Sequence, residues 1–205
     1  MLDLEVVTAP TQVGTDIVSV ADLKRHLLIT HSRLDADFED IILDVADKLH
    51  GIGGELNRTV FPTTWCRYLS QWPADRKILL PYPPLVEVES IVVEDGESPS
   101  TVVDSSLYVV RTGTLVGEVE LKTGEVWPTV TTGPRAIAVT FRAGYSTYPP
   151  KLKRMIKLLA GHYHENREAT INDPRVLQIN RQIEFGVGDL RAALRVPVSH
   201  DNWGE

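Results

Sequence analysis

A chain of 205 residues, 42% hydrophobic and 24% charged, can bury a core as one substantial domain or two small ones. Its net charge of −7 argues against general nucleic-acid affinity, which needs concentrated Lys and Arg, and the one local exception is a small basic face of Lys151, Lys153, Arg154 and Lys157. A single cysteine, Cys66, excludes an intrachain disulfide and a cysteine-rich zinc site.

The opening "MLDLEVVTAPTQVGTDIVSV" lacks the basic start and apolar stretch of a signal peptide, and no apolar run approaches the ~18 residues of a membrane span. Folding in a reducing cytoplasm, without a membrane, is the expectation. "NRT" at 57–59 then reads as an accidental glycosylation sequon.

The first predicted helix starts after Ser19, an N-cap with Asp22 at the reciprocal capping position, and carries Val20, Leu23 and Leu27 on one face. A second begins near Asp35. Phe38, Ile41, Ile42, Val45 and Leu49 form its apolar stripe, while Asp37, Glu39, Asp40, Asp44 and Asp47 take the other faces. "GIGG" at 51–54 weakens or ends it.

From Thr63 to Arg142 the pattern changes to β. "TWCRYLSQW" alternates like a half-buried strand, and "KILLP", "VEVESIVVED", "LYVV", "GEVELKTG" and "AIAVTF" follow between Pro, Gly and Asp-Gly turn signals. In the third of these six strands, Val86, Val88 and Val92 are expected on one face, with Glu87 and Glu89 on the other.

Helix returns at Pro149 and Pro150, with Leu152, Met155, Ile156, Leu159 and Tyr163 as its stripe. "NDP" at 172–174 breaks the run. "VGDLRAALRV" at 187–196 is a shorter amphipathic piece, and "PVSHDNWGE" is a polar tail expected to be mobile.

These elements predict an α+β fold, an α-helical bundle framework of N- and C-terminal helices with an inserted antiparallel β domain. Residues 18–60 are its N-terminal helical part and 63–143 the β domain. Residues 149–196 complete the bundle, and 197–205 form the flexible tail.

"HYHENREAT" at 162–170 carries the densest set of chemistry-bearing side chains. On a helix that continues the Leu159–Tyr163 stripe, His162 and His164 point about 200° apart, so they cannot share one metal without unwinding it. Tyr163, Asn166 and Arg167 read instead as a structural helix end, with Arg167 placed to favour the helix dipole. "GIGGE" lacks the strand–turn–helix setting of a dinucleotide site, and "GYST" lacks the second glycine of a nucleophile elbow. No catalytic residue, metal or cofactor is expected.

The order of these segments resembles the head–tail connector (adaptor) proteins of long-tailed bacteriophages and gene transfer agents. "VSVADLKRHLLI", "LDADFEDIILDVADKLHGIGGELNRTVFPTTW", "ILLPYPPLVEVESIVVEDG", "VTFRAGYSTYPPKLKRMIKLLAGHYHENRE" and "FGVGDLRAALRVP" carry the likeness, over about residues 18–197. "GIGG" and the closing "SHDNWGE" depart from the family pattern.

The resemblance implies a non-enzymatic adaptor: a ring, roughly twelve-fold, between the portal protein and a tail-side stopper or terminator protein, extending the DNA channel of a virion or phage-like particle. The particle would be assembled in the bacterial host cytoplasm. Transiting double-stranded DNA would pass without specific binding. By the same analogy, Phe185, Leu190, Leu194, Val196 and Trp203 are expected to contact the portal. Asp37, Asp40, Asp44 and Asp47 are expected to line the channel. The competing expectations are another connector-region part, a stopper or tail-completion protein, or a metal-dependent hydrolase centred on His162, His164 and Glu165.

Overall fold

The computed structural model describes residues 3–94, 100–113, 115–166 and 186–197. In chain order its elements are β1 (Asp3–Thr8), α1 (Gly14–Ile17), α2 (Val20–Leu27), α3 (Asp35–Leu49), β2 (Thr63–Leu69), β3 (Lys77–Leu80), β4 (Leu85–Val93) and β5 (Thr101–Val102). A 3-10 turn at Ser105–Leu107 leads to β6 (Tyr108–Arg111), β7 (Gly117–Leu121), β8 (Ile137–Ala143) and α4 (Pro150–Glu165). Residues 186–194 are also helical. The chain divides into a β unit, residues 1–11, 57–145 and 196–205, and a helical unit, residues 12–56 and 146–195.

This corrects the expectation of a helical-bundle framework with a β insertion. The main body is the β unit, built from two antiparallel sheets, and it includes a strand that precedes every helix. The physical reason lies in β1. Asp3–Thr8 pairs along β2, with Asp3 opposite Tyr68 and Val6 opposite Trp65, so the N-terminal segment belongs to the sheet.

The larger sheet has the order β1-β2-β8-β4-β5 and the smaller β3-β7-β6. Their facing side chains form one core, including Trp65, Ile91, Val139 and Phe141 from the first sheet and Ile78, Leu80, Tyr108 and Val119 from the second. β8 lies at the centre of the larger sheet. Its Phe141 stands opposite Trp65 of β2 and Val88 of β4 and has no exposed surface.

Two strands differ from their expected patterns. β2 is buried on both faces from Thr63 to Arg67 rather than alternating. It runs between β1 and β8, and Cys66, 4% exposed, stands in register between Glu5 and Thr140. On β2's core side, Arg67 is 3% exposed and donates from Nη1 to the Leu79 carbonyl of β3, joining the two sheets. Burial pushes its guanidinium down to about 10, which leaves it charged at neutral pH. In β4 the buried residues are Leu85, Ile91 and Val93, while Val86 is 40% exposed. Register shifts between Leu85 and Glu87 and between Val88 and Ser90 insert extra residues, and each insertion exchanges the two faces.

Gly144 ends β8 at φ +130°, and a Cβ there would lie 2.6 Å from the Phe61 carbonyl oxygen. Only glycine combines that backbone angle with that approach.

In the helical unit, Ser19 caps α2 by accepting from the Asp22 amide at 3.1 Å. Lys24 of α2 meets Asp35, the first residue of α3, at 2.7 Å. α3 buries Phe38, Ile42, Val45, Ala46 and Leu49, and α4 buries Leu152, Met155, Ile156, Leu159 and Ala160. α3 packs against α4, α2 against both, and α1 against α3. Each fully buried large side chain contributes roughly 1.5–3 kcal/mol, more than any exposed ion pair nearby. After Leu49 the backbone turns through Gly51 (φ 62°) and Gly53 (φ 78°), which stops α3.

Candidate assembly surfaces

The end of α4 is held by its own side chains. Asn166 donates from its backbone N–H and from Nδ2 to the His162 carbonyl, at 3.0 and 2.9 Å. Its Nδ2 also lies 3.1 Å from His162 Nδ1. His164 goes elsewhere, its ring edge-on to Phe38 of α3 with centroids 4.9 Å apart. The two histidines therefore serve different neighbours, and no group of three metal-ligating side chains occurs among the described residues. Arg167 lies outside the described residues.

Tyr163 belongs to a polar cluster that joins four parts of the helical unit. Lys48 near the end of α3 donates to the Tyr163 hydroxyl at 2.8 Å and pairs with Glu55 at 3.2 Å. Glu55 also meets Arg191, on the helical segment 186–194, at 2.7 Å. The hydrogen bond to Tyr163 raises the Lys48 ammonium above the ordinary lysine range, and Glu55 adds to that rise. These ion pairs are partly exposed, worth about 0–1 kcal/mol each, so they set direction more than strength. Val187 and Leu194, buried at 5% and 6% exposure, supply the stronger hold on segment 186–194.

His50 follows α3 directly, and burial lowers its imidazole below the ordinary range of about 6.5, against an opposing pull from Asp47. The folded chain then binds this proton less readily than the unfolded chain. His50 thus contributes stability above the unfolded value, and that contribution is lost as pH falls below about 6.5. Urea midpoints for wild type and His50→Gln, taken from about pH 7.5 to about pH 5, should converge on the acidic side as the wild type weakens more. Parallel curves would contradict this.

The residues expected at the portal are not all surface groups. Leu194 and Val196 are buried, and the Val196 carbonyl accepts from Asn57 Nδ2 at 3.1 Å. Leu190 is half-buried. Phe185 and Trp203 lie outside the described residues.

Asp37, Asp40, Asp44 and Asp47 are all exposed on α3, and their spacing of three, four and three residues gathers them into one stripe. On α4, Lys151, Lys153 and Arg154 are exposed and Lys157 is half-exposed.

Some of this was beyond sequence reading. Lys48, Glu55 and Arg191 are individually ordinary surface residues whose meeting depends on the tertiary fold. Trp72 and Trp127 stack at 4.4 Å with planes 4° apart, with Trp72 Nε1 donating to the Pro128 carbonyl at 2.8 Å. Trp127 lies outside regular strands, where no periodicity marks it, and Trp72 lies past Leu69, where β2 ends although "TWCRYLSQW" reads as one strand.

The fold has counterparts among solved structures. One is a chain from "Neck of empty GTA particle computed with C6 symmetry", with TM-score 0.71, 22% identity, and coverage of 96% of this chain and 97% of that one. A second, from "Virion of native gene transfer agent (GTA) particle", gives 0.70 and 22%, covering 96% of each chain. A third, from "Neck of native GTA particle computed with C12 symmetry", gives 0.68 and 22%, covering 97% of each. No family model and no curated protein matches the sequence. Across nearly its whole length, this chain has the fold of chains found in gene transfer agent particles, two of them in structures of the neck.

Proposed function

We propose that the protein is a structural head–tail adaptor, one subunit of a roughly twelve-fold ring in the neck of a phage or gene transfer agent particle. The observation that carries this is end-to-end likeness to a chain of a particle neck, with 96% and 97% of the two chains aligned. The C12 symmetry of another matched neck supports the copy number. The ring joins the portal on one side and a stopper or terminator on the other, and extends the DNA channel. An overall acidic chain suits a conduit, since every Lys–phosphate pair formed would have to break during transit.

The portal contact lies in the C-terminal part. Burial of Leu194 and Val196 commits those side chains to the chain's own fold, which concentrates the contact on Phe185, Leu190 and Trp203. A rigid aromatic such as Trp203 is the residue type that most often anchors an interface. Electron microscopy of the protein mixed with purified portal tests the reading. A ring seated coaxially on the portal is expected, whereas a plug across an already assembled adaptor ring would mark a stopper instead.

A further inference from the structure

We propose that the ring seam joins the acidic stripe of α3 in one copy to the basic face of α4 in the next. The inference rests on the adaptor reading and names the surfaces by which its copies meet.

The two stripes point away from each other. At 100° per residue, Asp37, Asp40, Asp44 and Asp47 centre about 150° around α3 from its buried Phe38–Leu49 side. Lys151, Lys153, Arg154 and Lys157 centre about 180° around α4 from its buried Leu152–Leu159 side. Because α3 and α4 pack together, their outward stripes cannot neutralise one another within one chain.

Nearby charges in the same unit are already matched, Lys24 with Asp35 and Arg25 with Asp22. Lys157 acts on Asp22 as well. By contrast, the side chains of Asp40, Asp44, Lys151, Lys153 and Arg154 form no ion pair or hydrogen bond among the described residues.

Each stripe also repels itself. Asp40/Asp44 and Asp44/Asp47 are like-charge neighbours at helical spacing, as are Lys151/Arg154 and Lys153/Lys157, and such pairs weaken an isolated helix. A surface of opposite charge removes both costs together. The spacing is comparable, since Asp40 and Asp44 are four residues apart, about 6 Å along α3, and Lys151 and Arg154 are three apart, about 4.5 Å along α4.

A second copy supplies the complement from the same helical unit, and two different faces on one subunit give the head-to-tail contact that a closed ring requires. This assigns the four aspartates to the seam, in place of the channel wall expected from the sequence.

The test uses the whole chain and two double variants, Asp40→Lys with Asp44→Lys, and Lys153→Glu with Arg154→Glu. Self-association is read by sedimentation velocity at low and high salt, with circular dichroism confirming the fold. Wild type should associate at low salt and dissociate at high salt. Each double variant alone should associate at least about tenfold more weakly, and an equimolar mixture of the two should recover association, because each restores the other's complement. Both variants remain net negative, so bulk attraction cannot produce that recovery. If a variant misfolds, Asp40→Asn with Asp44→Asn or Lys153→Gln with Arg154→Gln takes its place, with the same loss expected.

Unchanged association of either variant alone, no recovery in the mixture, or a wild type monomeric at low salt would overturn the seam. Electron microscopy on portal keeps the two failures apart. Wild-type and variant rings forming equally well would move the seam elsewhere and leave the adaptor reading intact, while no wild-type ring on portal would remove the reading itself.

Discussion

Phe141→Ala is expected to lower the stability of the β unit by about 3–5 kcal/mol, the largest single-residue effect anticipated in this chain. Phe141 has no exposed surface and sits on β8, the middle strand of the larger sheet, facing the smaller sheet. Its partners in register, Trp65 and Val88, belong to different strands, and collapse around the missing ring would disturb both pairings. The loss therefore combines transfer of an aromatic ring to water with a cavity that relaxation only partly fills. Tryptophan fluorescence during urea unfolding reads the change, because Trp65, Trp72 and Trp127 all lie in the β unit. Val126→Ala, at a site 79% exposed, is the control and should stay within about 0.5 kcal/mol of wild type. A Phe141→Ala effect below about 1 kcal/mol would contradict the assignment of a single core between the two sheets.

Truncation after Pro197 is expected to abolish association with portal while leaving the fold in place. The cut keeps Val196, at 1% exposure, and its carbonyl bond to Asn57. It also keeps segment 186–194, held by buried Val187 and Leu194 and by the Glu55–Arg191 pair. The full-length chain should co-migrate with portal rings through a density gradient, and the truncated chain should not. Trp203→Ala should reproduce much of the loss, about 2 kcal/mol or roughly thirtyfold, if the indole is the anchor. Full co-migration of the truncated chain would move the contact to Phe185, Leu190 or another surface.

What the sequence shows about this fold depends on how local the cause is. The α3 stripe was legible because its period alone places Phe38, Ile41, Ile42, Val45 and Leu49 on one side, and all but the half-buried Ile41 are buried. The Ser19 cap and the start of α4 at Pro150 are likewise set within three or four residues. β1 was not legible. Val6 and Val7 stay 49% and 57% exposed, and the strand exists because β2, some sixty residues later, offers an edge. The faces of β4 were misjudged for a related reason, since its bulges are fixed by β8 and leave no mark in a run of alternating Val and Glu. Missing β1 and taking the helices as the frame produced the wrong overall architecture. The candidate surfaces divide in the same way. The aspartate stripe follows from helical spacing alone, whereas the Lys48–Glu55–Arg191 cluster and the burial of Leu194 and Val196 arise only when distant segments meet.

Electron microscopy of the full-length chain mixed with portal-bearing particles decides whether copies of this protein form a ring on a portal. A closed ring coaxial with the portal, of about twelve subunits, each fitted end to end by the fold described above, is the expected result. Portal vertices with no added density at any salt concentration, or the chain bound away from the portal axis, would contradict it.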